Sequence, residues 1–150
     1  MPSPTGNRFW HLRSQHGRDK LFATHEALWE AACEYFDWCE DNPIIETTRH
    51  GNEQWERIKQ RPFTVEGLCI YLGCNMGWLK TFTYRLKKKT DRESREFMDT
   101  LKRIRDVIYV QKYTGAATGM FSAHLVVREL DPTFLELEDR RTIEIPYPGN

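Results

Sequence analysis

The sequence lacks any long apolar run. No stretch approaches the roughly 18 consecutive apolar residues that a membrane-spanning helix needs, and the start, MPSPTGNRFW, lacks the apolar core of a signal peptide. We therefore expect a cytoplasmic protein without a membrane partner. Its 150 residues, 13 % of them aromatic, are enough for one ordinary folded domain with appendages.

Cysteine and the common catalytic motifs are scarce or missing. The four cysteines, at positions 33, 39, 69 and 74, have no CxxC spacing and lie within apolar helical patterns, which is typical of small buried residues in a reducing compartment. The chain has no GxxxxGK, no GxSxG, no HExxH and no HxE with CxxC. We therefore predict no metal site, no cofactor, no catalytic residues and no enzymatic activity. A metal-dependent nuclease stays open as an alternative, because its carboxylates can be far apart in sequence.

A net basic excess is also absent, because 22 Lys and Arg balance 22 Asp and Glu. Nucleic-acid-binding proteins usually carry a positive net charge, so neutrality by itself argues against such a partner. The charges are segregated, however: residues 25–48 hold seven acidic residues and no Lys or Arg, whereas residues 49–112 hold fifteen basic and eight acidic residues. Such a chain can present a positive surface to DNA and an acidic one to a basic partner or a second copy.

The most informative pattern is a helix-turn-helix over residues 63–89. Thr64 is a good N-cap for a first apolar helix, residues 73–75 form a turn, and Met76 opens a second helix. The outward face of the second helix is cationic, with a spacing that lets several side chains approach phosphates together. The predicted DNA-binding residues are Lys80, Tyr84, Lys87 and Lys88 on this face and Arg85 and Lys89, which flank them. A solvated helix end that compensates the helix dipole is the alternative interpretation.

Residues 1–23 are predicted to form a basic and aromatic arm before the core. Arg8, Arg13 and Arg18 are candidates for contacts with the DNA backbone. Phe9 and Trp10 are expected to pack on the body of the protein, because large aromatic side chains are more often buried than displayed.

The helical core is predicted to span residues 24–131. Thr24 caps a helix to about Glu40, and a β-hairpin at 44–59 follows. An isolated hairpin is marginal in water, so we expect it to pack on the helices or on another subunit, with Trp55 and Ile58 as its anchors. After the helix-turn-helix, two helices over 92–113 and 120–130 are expected to form an antiparallel pair. The small residues at 114–119 interrupt them.

The tail over residues 132–150 alternates at Thr142–Ile145, which predicts a single strand. A lone strand needs a partner, either the early hairpin or the same tail of another copy, and homo-oligomerisation follows as a hypothesis. The predicted fold class is mainly α with a small β component. It comprises a helix-turn-helix-containing helical domain, a β-hairpin, a helical pair for oligomerisation and a C-terminal strand.

Several strings resemble the terminase small subunit of tailed bacteriophages, a family of DNA-packaging proteins. They are GNRFW at 6–10, HGR at 16–18, EALWEAACEYFDW at 26–38, FTVEGLCIYLG at 63–73 and VIYVQKYTGAATGMFSAHLVVRELD at 107–131. Together they cover most of the first 131 residues in the same order as in the family.

The resemblance implies a non-catalytic, mostly helical subunit that assembles into a ring in the host cell cytoplasm. Such a subunit binds the packaging-initiation site on viral double-stranded DNA and regulates the large terminase subunit, which carries the ATPase and nuclease. By the same resemblance, residues near 107–123 contact the neighbouring subunit and the C-terminal strand joins a barrel-like collar. The candidate oligomerisation residues are Ile104, Ile108, Gly115, Ala116, Ile143 and Ile145.

One departure from the family concerns the C-terminus. Family members extend past the strand into a basic tail that contacts DNA, whereas the last basic residues here are Arg140 and Arg141. We therefore expect either that the helix-turn-helix and the N-terminal arm take more of the DNA contacts, or that the collar binds only the large subunit. The alternative function is a dimeric helix-turn-helix transcription regulator, which differs from a packaging ring in its subunit number.

Overall fold

The computed structural model describes residues 9–14 and 16–130, so that Arg8 and the predicted C-terminal strand with Ile143 and Ile145 lie outside the described residues. The elements are a 3₁₀ helix at Phe9–His11, α1 at Arg18–Leu21, α2 at His25–Asp41, β1 at Ile44–His50, β2 at Glu53–Lys59, α3 at Val65–Leu72, α4 at Met76–Lys88, α5 at Arg92–Ala117 and α6 at Ala123–Leu130. The predicted fold class, mainly α with a small β component, is confirmed. Within these ranges, none of the helices combines the length and apolar character that a membrane crossing requires.

The chain divides into two compact units, Met1–Gln111 and Lys112–Asn150. The first is organised around α2, which begins where Thr24 accepts a hydrogen bond from the backbone N–H of Ala27 at 3.1 Å. Its apolar residues recur every three to four positions and are buried on one face, as predicted. They are Leu28, Ala31, Ala32, Tyr35, Phe36 and Cys39.

Aromatic contacts join the helices within the core of the first unit. Tyr35 of α2 meets Tyr71 of α3 with ring centroids 6.3 Å apart, and Phe82 of α4 meets Phe97 of α5 edge-on at 5.7 Å. Ile104 and Ile108, predicted at a subunit interface, belong to this core and are only 2 % and 4 % exposed. Their own chain covers them, so burial of these two side chains needs no neighbouring subunit.

The hairpin is a two-stranded antiparallel sheet in which Thr48 pairs with Trp55 and Ile45 with Ile58. Gly51, with φ of 62°, supplies the left-handed conformation that its turn requires. Trp55 and Ile58 do not anchor the hairpin on the helices of their own chain, because the two side chains are 63 % and 71 % exposed. The alternative, that they pack on another subunit, stays a prediction. They lie three positions apart on one strand and therefore point to opposite faces of the sheet, so one surface could not have covered both.

The two helices are interrupted as expected, but the break lies at residues 118–122 rather than 114–119. α5 continues through Ala117, and Gly119, with φ of 75°, lies just beyond its end. Alanine is the best helix former and a single glycine, Gly115, is tolerated within a long helix, so α5 does not end there. The helix ends instead just before Gly119, which adopts a left-handed conformation. Consequently α6 begins at Ala123 rather than near residue 120.

The second unit contains the end of α5 together with α6. Lys112 is buried, and its ammonium donates to the carboxylate of Glu129, which neutralises a charge that would be costly to bury alone. Gly115 is buried under the ring of Phe121, whose backbone N–H donates to the carbonyl of Gly115 at 3.0 Å. The tight approach of that ring explains why this position carries no side chain.

Replacing Gly115 with alanine is expected to destabilise the second unit by about 1 to 3 kcal/mol, the usual range for overpacking. A glycine-to-alanine change inside a helix ordinarily stabilises by roughly 1 kcal/mol, but here the new Cβ would overlap the ring of Phe121. Hydrogen exchange of the amides at 112–130 measures the effect. The same substitution in a Phe121→Ala background is the control, because the overlap is absent there and Gly115→Ala should then cost little relative to Phe121→Ala alone. An equal cost of Gly115→Ala in the two backgrounds would contradict the packing account.

Candidate nucleic-acid interface

α3 and α4 are joined by a three-residue turn with caps on both sides. Gly73, with φ of 73°, ends α3, and the backbone N–H of Cys74 donates to the carbonyl of Cys69 at 2.9 Å. Asn75 then caps α4, because its side-chain oxygen accepts from the backbone N–H of Trp78 at 2.8 Å. These local interactions determine the angle at which α4 leaves the turn.

α4 buries one face and displays the other. Leu79, Thr83 and Leu86 are buried, and the hydroxyl of Thr83 donates to the carbonyl of Leu79 at 2.8 Å. The predicted DNA-binding residues of this helix and its C-cap are all exposed: Lys80, Tyr84, Arg85, Lys87, Lys88 and Lys89. None of these cations forms an ion pair with a carboxylate in the part of the chain that the structure describes.

Tyr84 and Lys88 interact on the exposed face. The Lys88 ammonium lies 4.4 Å from the centroid of the Tyr84 ring, and the ring is 58 % exposed. A cation above an aromatic face is attracted by the ring quadrupole and restricts the rotamers of both side chains. The outward surface of α4 is therefore partly ordered before any partner binds.

Arg18 of α1 reaches the start of α4 through a group of aromatic rings. Its guanidinium lies 5.3 Å from the centroid of the Trp78 ring, and Trp78 contacts Phe22 at 4.5 Å and Phe82 at 5.2 Å between centroids. Sequence reasoning missed this aromatic group, although an i, i+4 pair of Trp78 and Phe82 could have indicated it. The group places an exposed cation of the N-terminal segment beside the N-terminal end of α4.

The rest of the predicted arm is only partly attached. Arg13 is exposed, and the backbone N–H of the next residue, Ser14, donates to the carbonyl of Tyr71 at 3.1 Å. The expectation that Phe9 and Trp10 pack on the body was wrong, since they are 46 % and 54 % exposed. They contact each other edge-on with centroids 5.5 Å apart, and Leu12 occupies the core position instead.

The turn region also holds two thiols that behave differently. A hydrogen bond from the Cys69 thiol lowers the pKa of Cys74, and the nearby Arg18 guanidinium acts in the same direction. The same hydrogen bond to Cys74 is the main cause that raises the pKa of Cys69, and burial is the second cause. The sulfur of Cys69 also lies 3.8 Å from the sulfur of Met76.

Within residues 9–14 and 16–130, no group of three or more His, Cys, Asp or Glu side chains could hold a metal ion.

α2 displays the acidic surface that the charge segregation indicated. Five of its exposed carboxylates recur every three to four residues and a sixth follows the last of them directly, so that all share one side of the helix. They are Glu26, Glu30, Glu34, Asp37, Glu40 and Asp41. The Tyr71 hydroxyl donates to Glu34, and burial together with that carboxylate raises the pKa of Tyr71 to about 12.

Comparison with known proteins defines the class. The model of a family described as DNA-packaging protein gp3 matches residues 17–142. The chain therefore belongs to this family of DNA-packaging proteins. It is 38 % identical over 134 residues to the terminase small subunit of Salmonella phage P22, an alignment that covers 87 % of this chain and 77 % of that protein. The resemblance to phage terminase small subunits that the sequence strings indicated is thereby confirmed.

Proposed function

We propose that the chain is a non-catalytic terminase small subunit that recognises the packaging-initiation site on viral double-stranded DNA. The observation that carries this proposal is the exposed cationic face of α4, whose lysines and arginine form no ion pair with a carboxylate in the described part of the chain. Lys89, at the C-cap, is the one closest to a carboxylate in effect, because it adds to the hydrogen bonds from Ser94 that lower the pKa of Asp91. Unpaired Lys and Arg side chains on one helix face suit the phosphates of a duplex. Arg13 and Arg18 add exposed cations from the N-terminal segment.

The proposal includes assembly into a homo-oligomeric ring in the host cell cytoplasm. Ile104 and Ile108 are buried in the core of their own chain, so other side chains, which are exposed in the single chain, would form the contact between subunits. In the second unit these are Met120, Leu125 and Val127, which are 51 %, 68 % and 57 % exposed, with the half-buried Ala116. Exposed apolar side chains of this kind favour contact with another protein surface.

The ring is further proposed to regulate the ATPase and nuclease of a large terminase subunit. The acidic face of α2 supports a protein partner here, because its carboxylates would repel DNA and could meet a basic surface. A dimeric transcription regulator is the second candidate, favoured by the α3–turn–α4 geometry alone.

Light scattering at physiological salt, followed by an ATPase assay with a large terminase subunit, tests the proposal. We expect a mass several times that of one chain, and stimulation of ATP hydrolysis that requires viral duplex DNA. A dimer that binds DNA and leaves the ATPase unchanged would favour the transcription regulator. A monomer without duplex binding would contradict both functions.

A further inference from the structure

α3 ends in a turn that two backbone hydrogen bonds close. The N–H of Gly73 donates to the carbonyl of Ile70 at 3.2 Å, and the N–H of Cys74 donates to the carbonyl of Cys69 at 2.9 Å. This pair of bonds is the Schellman motif, in which apolar side chains near the helix end commonly meet across the turn. Cysteines occupy both positions joined by the second bond, so the contact across this turn is between two thiols.

The distance between the two cysteines suits a disulfide. A backbone hydrogen bond of 2.9 Å keeps the two Cα atoms within about 7 Å of each other, and beyond that separation a disulfide cannot close without movement of the backbone. The Cys69 thiol also donates a hydrogen bond to the sulfur of Cys74, so the two side chains point towards each other. The pair is therefore placed for an S–S bond in the folded chain.

The two thiols differ in access and in acidity. Cys69 is only 2 % exposed, whereas Cys74 is half-buried. The hydrogen bond from Cys69 lowers the pKa of Cys74, and the positive charge of Arg18 acts in the same direction. The thiolate is the form that reacts with oxidants, so Cys74 is the sulfur that reacts first.

Cys33 of α2 offers a matched comparison within the same chain. It is half-buried like Cys74, but burial and the nearby Asp37 carboxylate raise its pKa. A difference in reactivity between Cys33 and Cys74 therefore reports the local environment of each sulfur and not its exposure alone.

We propose that Cys69 and Cys74 form a redox site at which a hydroperoxide oxidises the two thiols to a disulfide across the turn between α3 and α4. The assignment does not depend on DNA recognition, because neither sulfur belongs to the exposed cationic face of α4. In a reducing compartment the bond is transient, since cellular thiols reduce it again.

The oxidation takes place in two steps, here with hydrogen peroxide. The Cys74 thiolate attacks one peroxide oxygen, the O–O bond breaks, and the other oxygen leaves as water once it is protonated, so that Cys74 becomes a sulfenic acid. The Cys69 sulfur then loses its proton and attacks the sulfur of Cys74, the S–O bond breaks, and a second water leaves. The two sulfurs together lose two electrons, which reduce one peroxide to two waters.

The position of the bond determines what it restrains. It would join the end of α3 to the residue directly before Asn75, whose side chain caps α4 by accepting from the N–H of Trp78. Oxidation would therefore fix the segment that sets the direction in which α4 leaves the turn. A cross-link of this kind stabilises the folded chain mainly by restricting the unfolded one.

Peroxide treatment of the full chain, followed by alkylation of the remaining thiols and mass spectrometry, tests the proposal. The tryptic peptide over residues 60–80 contains Cys69, Cys74 and no other cysteine. An internal disulfide therefore appears as this peptide lacking two hydrogen atoms and resisting alkylation, and dithiothreitol should reverse it. We expect Cys74 to be oxidised about tenfold faster than Cys33, and the midpoint of thermal unfolding to rise by about 5 °C in the oxidised protein.

Two serine variants separate the roles of the sulfurs. In Cys69→Ser a hydroxyl can still donate to the Cys74 sulfur but cannot close the disulfide, so dimedone should trap the sulfenic acid at Cys74. In Cys74→Ser the buried Cys69 should stay reduced at the same peroxide dose. Thermal unfolding of the reduced variants checks that each is folded, and the measurement on the unsubstituted chain needs no variant.

Three results would overturn the redox assignment. In the first, Cys33 is oxidised as fast as Cys74. In the second, the peptide over residues 60–80 remains fully alkylated at a dose that oxidises Cys33. In the third, Cys74 forms its disulfide with a thiol other than Cys69, either within the chain or in a second copy.

Discussion

Replacing Lys87, Lys88 and Lys89 with alanine is expected to weaken duplex binding by about two orders of magnitude at roughly 0.1 M salt. All three side chains are exposed at the end of α4, and none pairs with a carboxylate among the described residues. Each lost phosphate contact should lower the slope of log K against log salt concentration by roughly 0.9, and three contacts by about 2.7. Fluorescence anisotropy with a labelled duplex over a series of salt concentrations measures both quantities.

A matched control separates position from net charge. Arg95, Lys102 and Arg105 are exposed cations of α5, and their replacement by alanine removes the same number of positive charges. If α4 makes the phosphate contacts, this control variant should retain most of the affinity and nearly the full slope. Equal losses of affinity and slope in both variants would indicate that net charge, and not position, determines binding. An unchanged slope in the α4 variant would show that these three lysines do not contact phosphates.

The Ile104→Ala variant is expected to lose about 2 to 5 kcal/mol of unfolding free energy, the usual range for a buried isoleucine. Ile104 is 2 % exposed within the core of the first unit, so truncation removes apolar contacts and leaves a cavity. Ile58 offers the same substitution at a position that is 71 % exposed, where a change of less than about 1 kcal/mol is expected. Denaturant unfolding of the two variants measures the difference.

The same pair of variants tests the role that the family resemblance implied for Ile104. A core residue destabilises the chain by the same amount at every protein concentration, whereas an interface residue acts through assembly and so depends on concentration. We expect the loss at Ile104 to be independent of concentration. A loss of unfolding free energy that appears only at concentrations where the oligomer forms would instead indicate that Ile104 lies at a subunit interface.

Local sequence signals located the elements well where the determining interactions are themselves local. Thr24 and Thr64 accept hydrogen bonds from the N–H groups three residues later, and Gly73 adopts the left-handed conformation that ends α3. The hairpin turn at Gly51 is of the same kind. A cap or a turn involves only a few neighbouring residues, so its pattern can be recognised without knowing the rest of the fold.

The errors share a different physical cause. Phe9 and Trp10 were expected to be buried because of their residue types, yet both are exposed. Whether an apolar side chain is buried depends on which other element covers it, and that information is distant in sequence. The break expected at 114–119 lies instead at 118–122, because small residues permit both a helix and a turn.

By itself, the sequence determined α2, α3, α4 and the hairpin turn, the segregation of charge and the family to which the chain belongs. Only the tertiary structure decided that Ile104 and Ile108 serve the chain's own core and that Arg18 lies over Trp78 at the start of α4. Helix caps and turns arise from hydrogen bonds between near neighbours. The assignment of a side chain to core, interface or DNA-facing surface instead depends on packing between distant segments, such as the 60 residues that separate Arg18 from Trp78.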